Sequence, residues 1–503
     1  MPFRLNFLTA LIIASLPLAG CATHQVQPEQ KAMPVAKTII QPAPVTKQSA
    51  YIIPAAAGWQ VMPLLTAGDS VNLKADGKPY QMVGMPDGLG AYNDKSNNLV
   101  VLMNHELKSA DGIARAHGET GAFVSQWVFD KNTLKATKGE DLIKQVFTWD
   151  AASSSYVYNR ANHFDRLCSA DLPVVSALFN AESGKGYHGR IFLNGEETTP
   201  EGRVFAHIAT GDNAGTSFEL PDLGKFAIEN VLVHPATGDM TLVAMNNDVM
   251  PGNVYFYIGQ KQKNGSEIEQ AGLMGGKLFG VKTADAVENA AQGVIGAFVL
   301  EPMFGNGKAA NKTGMDLMAD SRERGITAFS RPEDGVWDVK NPNVYYFVTT
   351  DRFDGNSRLY KMTFNQIAHP EAGGFIESVL NSKDVGAQMF DNITMTADGK
   401  IYLQEDPGKQ DHLAGIWEFD PTTKKAGRIF VSDPARFVEG QPGFLTNDEE
   451  NSGIIDVTAL VKDAAWFDVS KKYLLGTMQA HYKLDGEVVQ GGQLYLMSGP
   501  AAQ

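Results

Sequence analysis

Acidic residues recur at matching positions in several stretches of the sequence. Four segments each place a carboxylate at or next to their start, pass through a turn, continue as an apolar strand and close on a polar cluster. They are residues 86–106, 229–248, 332–351 and 391–406, with opening acids Asp87, Glu229, Glu333 and Asp391. A fifth segment, residues 190–198, repeats the strand and ends on Glu196 and Glu197. Carboxylates held together repel one another unless they are protonated or bridged by cations, so this pattern indicates metal binding.

A different interpretation applies to acids that lie inside the turns themselves. Asp and Asn next to a turn often bond to their own backbone, and this accounts for Asp239 and Asp398. For the opening acids taken as a set, the recurrence favours metal ligation over the turn role. The net charge of the chain is -14. An acidic surface argues against nucleic acid as a partner and is compatible with binding of hard cations such as calcium.

Two cysteines, Cys21 and Cys168, are present in the chain. If Cys21 carries a lipid, as argued below, Cys168 has no disulfide partner. Two interpretations stay open for Cys168: a small buried hydrophobic residue, or a metal ligand.

The elements that would position these residues are short strands. Apart from the N-terminus, the sequence contains many short β-rich runs that end at Gly, Asp, Asn or Pro, and few long amphipathic stretches. This spacing predicts an all-β fold, and repetition over tens of residues favours a β-propeller. The innermost strands of a propeller point the same way, so equivalent acids would converge at one mouth of the central channel.

The N-terminus has the pattern of a bacterial lipoprotein signal. Arg4 precedes an apolar run, and small residues lead to Cys21 in the sequence Leu-Ala-Gly-Cys. We predict a signal peptide over residues 1–20, a lipidated flexible tether over 21–49 and a propeller catalytic domain over 50–503. Ala22 favours the outer membrane, with the protein facing the periplasm or the exterior. The alternative is an ordinary secretory signal with an incidental cysteine.

Several short motifs together resemble the PhoX-type alkaline phosphatase family. In sequence order they are NHE at 104–106, Cys168, GEE at 195–197, the Glu of KFAIEN at 225–230, RPE at 331–333 and DN at 391–392. The resemblance implies a six-bladed β-propeller that binds calcium and iron at the channel mouth. Cys168 would then bind iron as a thiolate, and the metal-binding carboxylates would be Glu196 or Glu197, Glu229, Glu333 and Asp391.

The resemblance also implies an activity, the hydrolysis of small-molecule phosphomonoesters. The lipoprotein signal predicts that the protein lies in the cell envelope, and we expect it to be a monomer. Arg331 would bind the substrate phosphate and Asn104 would be a further polar contact, whereas His105 fits a structural role. Alternatives are a calcium-dependent lactonase or phosphodiesterase, and a non-catalytic surface-binding lipoprotein stabilised by calcium. A cation at Arg331 aimed into the metal site would distinguish the phosphatase from the non-catalytic propeller. The only membrane contact expected is the lipid anchor. The acidic stretch Asn447–Asn451 is predicted to be a solvated loop, with calcium binding as the alternative.

Overall fold

The computed structural model describes residues 42–501, which contain 32 strands and six α-helices. The predicted signal peptide and Cys21 lie outside the described residues, as do positions 22–41 of the predicted tether. The first four strands are β1 (Ile52–Pro54), β2 (Gln60–Thr66), β3 (Ser70–Leu73) and β4 (Pro79–Gln81).

Residues 42–49, which the sequence assigns to the end of the tether, pack on the propeller. The amide of Ala43 donates to the carbonyl of Thr133 at 2.7 Å. The hydroxyls of Thr46 and Thr66 are 2.8 Å apart. The packed part of the chain therefore begins before residue 50.

Most strands form six four-stranded blades. Blade 1 contains β5 (Pro86–Asn93), β6 (Leu99–His105), β7 (Phe123–Asp130) and β8 (Lys135–Asp141). Blade 2 follows β9 (Gln145–Asp150) and β10 (Ser155–Tyr158), which extend its outer edge; it contains β11 (Leu167–Asp171), β14 (Ile191–Glu196), β15 (Val204–Ile208) and β16 (Thr216–Glu219). Between β11 and β14 lies the small hairpin of β12 (Phe179–Asn180) and β13 (Lys185–Gly186).

The remaining blades follow in chain order. Blade 3 contains β17 (Ile228–Val233), β18 (Met240–Asn247), β19 (Val254–Gln260) and β20 (Lys277–Thr283), with β21 (Gly296–Pro302) outside it. Blade 4 contains β22 (Pro332–Trp337), β23 (Val344–Thr349), β24 (Arg358–Phe364) and β25 (Gly374–Asn381). Blade 5 contains β26 (Phe390–Met395), β27 (Ile401–Glu405), β28 (Gly415–Asp420) and β29 (Lys425–Ser432). Blade 6 contains β30 (Glu449–Asp456), β31 (Lys471–Lys483), β32 (Gln490–Pro500) and β2.

The two ends of the propeller are joined within blade 6. Strand β2, from the N-terminal part of the chain, pairs antiparallel with the C-terminal β32. The innermost strands β5, β11, β17, β22, β26 and β30 contact one another in turn, and β30 contacts β5. The ring is therefore closed, and the prediction of an all-β six-bladed propeller is confirmed.

The hydrophobic core lies between neighbouring blades. One cluster packs Leu99 and Trp127 of blade 1 against Leu475, Leu494 and Leu496 of blade 6. Burial of each such side chain contributes about 1.5–3 kcal/mol, so the blades are held in fixed relation to one another. This packing fixes where the inner strands begin.

Helices are confined to connections between strands. They are α1 (Val175–Leu178), α2 (Glu267–Gln270), α3 (Gly314–Arg324), α4 (Ser382–Val385), α5 (Pro434–Phe437) and α6 (Thr458–Val461). Short 3-10 turns occupy Pro221–Leu223, Met303–Gly305, Pro370–Ala372 and Gly486–Val488. Among residues 42–501, no helix has the length and apolar character needed to span a bilayer.

Candidate functional site

Each blade places the second residue of its innermost strand at the same mouth of the central channel. We call this set the inner ring: Asp87, Cys168, Glu229, Glu333, Asp391 and Glu450. In the first five blades the ladder between the first two strands shifts register directly after its first residue pair. Such a β-bulge re-aims the side chain beside it. The repeat in the sequence therefore corresponds to a repeat in local backbone geometry.

A second ring comes from the ends of the neighbouring strands. In each blade, the first residue of the innermost strand pairs with one residue of the second strand. The residue that follows this partner in the sequence is the blade's member of the second ring. In blade order this ring is Glu106, Glu197, Asp248, Thr350, Asp406 and His481. All of its members except Thr350 line a common cavity of about 720 Å³ together with the inner ring.

The ligand-type atoms of the two rings form three adjoining groups. Within each group the atoms lie within 4.8 Å of one another. The groups are Asp87–Glu106–Cys168, Cys168–Glu197–Glu229 and Glu229–Glu333–Asp391. Because Cys168 and Glu229 each belong to two groups, the three groups form one continuous arc of candidate metal ligands.

The carboxylates of the arc are strained electrostatically. Burial, reinforced by neighbouring carboxylates, raises the pKa of Asp87 and Asp391 well above the usual range. Burial also raises the pKa of Glu229 to about 6, with Asp248 adding to the effect. Oδ1 of Asp87 is buried and accepts no hydrogen bond from residues 42–501. Bound cations would relieve both features, so this donor set fits a metal centre.

Cys168 lies within the arc, not in the apolar core. Its Sγ donates to Oε2 of Glu197 at 2.8 Å. Burial raises the pKa of the thiol, and the nearby Glu106 and Glu197 raise it further. A thiol among carboxylates is a soft ligand in an otherwise hard donor set, which suits a transition metal better than calcium.

Two arginines balance part of the negative charge. Arg331 donates from Nε and Nη2 to the two carboxylate oxygens of Asp248, both at 2.8 Å, and its Nη2 is 2.9 Å from Glu333. Arg166 contacts Glu106 through Nε at 2.8 Å and Glu197 through Nη2 at 2.5 Å. Both guanidiniums line the cavity.

Of the two adjacent glutamates considered from the sequence, only Glu197 lies in the cavity. Glu196 points to the other side of β14, where Arg203 binds both of its carboxylate oxygens at 2.7 Å. Successive side chains of a strand point to opposite faces, so one of the pair had to face away. The structure thus corrects the assignment of Glu196 as a metal ligand.

Asn104 also lies outside the cavity, beneath the inner ring. Its Nδ2 donates to the carbonyl of Cys168 at 2.6 Å, and its Oδ1 accepts from Asn194. Asn246 makes the equivalent bond to the carbonyl of Glu333. The assignment of Asn104 as a substrate contact is therefore corrected: it positions the cysteine of the next blade.

The structure also places His105 and the acidic stretch Asn447–Asn451. His105 is buried, stacks on Phe123 with ring centroids 4.5 Å apart, and bonds to the carbonyl of Gly84. The stretch Asn447–Asn451 is not a solvated loop, because its last three residues begin β30. Glu450 belongs to the inner ring, and burial with nearby Asp406 raises its pKa to about 8.

Sequence reasoning missed most of the second ring and one arginine. The missed residues are Glu106, Arg166, Asp248, Asp406 and His481. A signal for three of them was present, because Glu106, Asp248 and Asp406 are the last residues of three of the repeated segments. The spacing of Arg166 before Cys168 also matches that of Arg331 before Glu333.

Comparisons with known proteins agree with this fold. No protein-family model matches the chain, and no curated protein matches it by sequence. The structure is similar to that of Pseudomonas fluorescens PhoX in complex with vanadate, a transition state analogue, with a TM-score of 0.57 and 12% identity over 89% of this chain and 97% of that chain. At this identity the likeness shows a shared fold and a distant structural relationship.

Two further solved structures have lower TM-scores. Trypanosoma rangeli sialidase in complex with 2,3-difluorosialic acid has a TM-score of 0.40 and 11% identity, covering 88% of this chain and 58% of that chain. The α-L-arabinofuranosidase PaAbf62A from Podospora anserina has a TM-score of 0.33 and 11% identity, covering 71% of this chain and 98% of that chain.

Proposed function

We propose that this chain is a metal-dependent phosphomonoesterase. The observation that carries the proposal is the pairing, in one cavity, of an arc of cation-binding side chains with guanidiniums. Carboxylates alone would repel a phosphate dianion. Cations bound between the carboxylates would attract it. A purely structural calcium site has no use for an arginine in the same cavity. The fold shared with PhoX, whose structure contains vanadate, supports the same activity.

The arc would hold the metal ions through the three groups of ligand atoms described above. Calcium suits the all-carboxylate group Glu229–Glu333–Asp391, and iron suits the groups that contain Cys168. When bound, such cations polarise phosphoryl oxygens and offset charge on the leaving oxygen.

The protein's own residues would bind and orient the substrate. Asp248 holds the guanidinium of Arg331 through two hydrogen bonds, which fixes its plane at the cavity wall. The planar fork of an arginine matches the oxygens of a phosphate. Asn104 and Asn246 fix the backbone of Cys168 and Glu333, so the ligands stay in register with the phosphate.

A hydrolysis assay tests this proposal. We expect full-length protein to hydrolyse p-nitrophenyl phosphate, to lose activity with a chelator and to regain it with calcium. Glu196→Gln, the control variant, should leave the activity unchanged, because Glu196 neighbours Glu197 but faces away from the cavity. Folded, metal-loaded protein that hydrolyses no phosphomonoester would refute the proposal.

The same proposal places the enzyme in the cell envelope, anchored through Cys21. Cys21→Ser should abolish incorporation of radiolabelled palmitate and release the protein from membranes. Unchanged labelling and membrane attachment would refute the anchor without affecting the proposed activity.

A further inference from the structure

We propose that Arg166 is a second phosphate-binding residue, which acts together with Arg331. This inference rests on the proposed function, because it assigns a second residue that binds the phosphate group of the same substrate. No sequence motif pointed to Arg166; the relation between blades 2 and 4 identifies it.

The two arginines occupy equivalent positions in their blades. Each lies two residues before the inner-ring member of its blade, in the sequences Arg-Leu-Cys and Arg-Pro-Glu. Both have the left-handed backbone that non-glycine residues adopt infrequently, with φ of 50° for Arg166 and 59° for Arg331. Met85 and Met389 have the same backbone at the equivalent positions of blades 1 and 5, with φ of 49° and 44°. The backbone therefore belongs to the blade repeat, and blades 2 and 4 differ from blades 1 and 5 in placing an arginine there.

The two guanidiniums also use their nitrogens in the same way. In each, Nε and Nη2 contact carboxylates of the rings. Within the described part of the chain, Nη1 of neither arginine donates a hydrogen bond, whereas Nε of Arg166 and both Nε and Nη2 of Arg331 do. The side chains are 39% exposed for Arg166 and 27% for Arg331, and both line the cavity. Each arginine therefore keeps donors available to a ligand.

Arg203 shows how a purely structural arginine of the same blade differs. Its Nε and Nη2 bind Glu196, and its Nη1 donates to Asn162 at 2.8 Å. All three of its nitrogens are thus used within the protein, and it lies outside the cavity. Unlike Arg203, the two cavity arginines hold ring carboxylates through Nε and Nη2 and leave Nη1 without a hydrogen bond to any described residue.

Carboxylates connect the two arginines across the cavity. Glu197, which contacts Arg166, shares a group of ligand atoms with Glu229, and the atoms of that group lie within 4.8 Å of one another. Glu229 shares a second such group with Glu333, which contacts Arg331. A phosphate above this stretch would be approached by one guanidinium from blade 2 and one from blade 4. A second cationic fork also offsets the repulsion between the phosphate and the acids of the rings.

Calorimetric titration of inorganic phosphate into full-length, metal-loaded protein tests this role. We expect Arg166→Gln to weaken phosphate binding roughly tenfold or more, since hydrogen bonds between charged groups are the strong ones. Arg331→Gln should have a similar effect, and Arg203→Gln, the matched control, should leave the affinity unchanged. Arg166→Lys, which keeps the charge but loses the fork, serves if Arg166→Gln does not fold, and it should weaken binding less.

Elemental analysis of the same samples separates the outcomes. Weaker phosphate binding with undiminished metal content supports the proposal. Wild-type affinity in Arg166→Gln, or loss of metal in place of phosphate affinity, overturns it. If phosphate binding depends on Arg166 but no phosphomonoester is hydrolysed, the proposed function fails while the anion site stands. A wild-type protein that binds no phosphate overturns both.

Discussion

Blades 2 and 4 build the same local frame from different residues. Each begins with an arginine of left-handed backbone and presents an inner-ring ligand two residues later, Cys168 in blade 2 and Glu333 in blade 4. The blades differ in the second ring, where blade 2 offers Glu197 and blade 4 offers Thr350, whose hydroxyl bonds to the carbonyl of Phe390.

This difference decides how each arginine is bound. Arg166 contacts the second-ring acids of blades 1 and 2, Glu106 and Glu197. The inner-ring residue of its own blade, Cys168, donates a hydrogen bond to Glu197. Arg331 has no second-ring acid in its own blade, so it contacts its own inner-ring residue, Glu333. Backbone geometry thus fixes the position of a cation in each blade, and the neighbouring side chains decide which acids it neutralises.

The largest effect should come from replacing the inner-ring ligands of the two blades. Residues that hydrogen-bond to metal ligands typically contribute about 10–100-fold to activity, and a ligand itself contributes more. Glu333→Gln should therefore lower kcat/KM at least about 100-fold. Cys168→Ser should match it in activity and should also change which metal is retained, because the soft donor is lost. Phosphatase assays and elemental analysis check both. Equal metal content and activity in Cys168→Ser and wild type would remove blade 2 from the metal centre.

Arg331→Ala should have the next largest effect. We expect kcat/KM to fall roughly 100-fold while the metal content stays unchanged, because charge stabilisation is lost but no ligand is removed. Steady-state kinetics on a phosphomonoester, with elemental analysis of the same sample, measures this. Loss of metal in this variant would show that Arg331 supports the cluster and not the substrate.

The buried amides beneath the rings should give smaller, matched effects. Asn104→Ala and Asn246→Ala each leave the carbonyl of a ring residue without its partner, which costs about 1–3 kcal/mol of stability. Activity should fall roughly tenfold in each. Chemical denaturation and kinetics check the pair. A full loss of activity in Asn104→Ala alone would restore its role as a direct substrate contact.

The smallest effect concerns Asp171, three residues after Cys168, where blade 4 has Val336. Burial raises the pKa of Asp171 to about 7, against hydrogen bonding from the amide of Val233. In the folded state Asp171 therefore stays protonated to a higher pH than in the unfolded state. This difference stabilises the folded protein at low pH, and the stabilisation is lost as pH rises from 4 through 7.

Asp171→Asn removes this dependence. Because the side chain of Asp171 keeps some contact with solvent, which screens part of this shift, the variant should gain about 1 kcal/mol relative to wild type between pH 4 and pH 8. Denaturant titrations at the two pH values measure this difference. A difference that does not change with pH would mean that Asp171 ionises normally in the folded protein.

The sequence predicted the architecture and the inner ring better than the rest of the site. Turn residues and apolar runs recur with the blades, so Asp87, Glu229, Glu333 and Asp391 could be recognised as equivalent. The choice between Glu196 and Glu197 could not be made, because it depends on strand register. In blade 6 the register shift lies after Asn451, one residue later than Glu450. The connection from β30 to β31 contains α6 in place of the short turn that follows the opening acid of the other segments.

The arginine pair and the buried amides depend on contacts between blades. Asn104 belongs to the NHE motif, whose last residue, Glu106, lines the cavity, and the family resemblance made it a candidate polar contact of the substrate. Its bond to Cys168 joins positions 64 residues apart, and such a pairing is set by packing of blade 1 on blade 2. Arg166 was detectable only by aligning blades 2 and 4, which differ at the ligand itself.

Metal binding by the arc is the central claim, and Glu229 is its most informative member, because it joins two of the three ligand groups. The decisive measurement is elemental analysis of purified wild type and Glu229→Gln, with circular dichroism to verify the fold. We predict that wild type retains tightly bound metal, including a transition metal, and that folded Glu229→Gln loses most of it. Folded wild-type protein that retains no metal and binds none when calcium and iron are supplied would contradict the account.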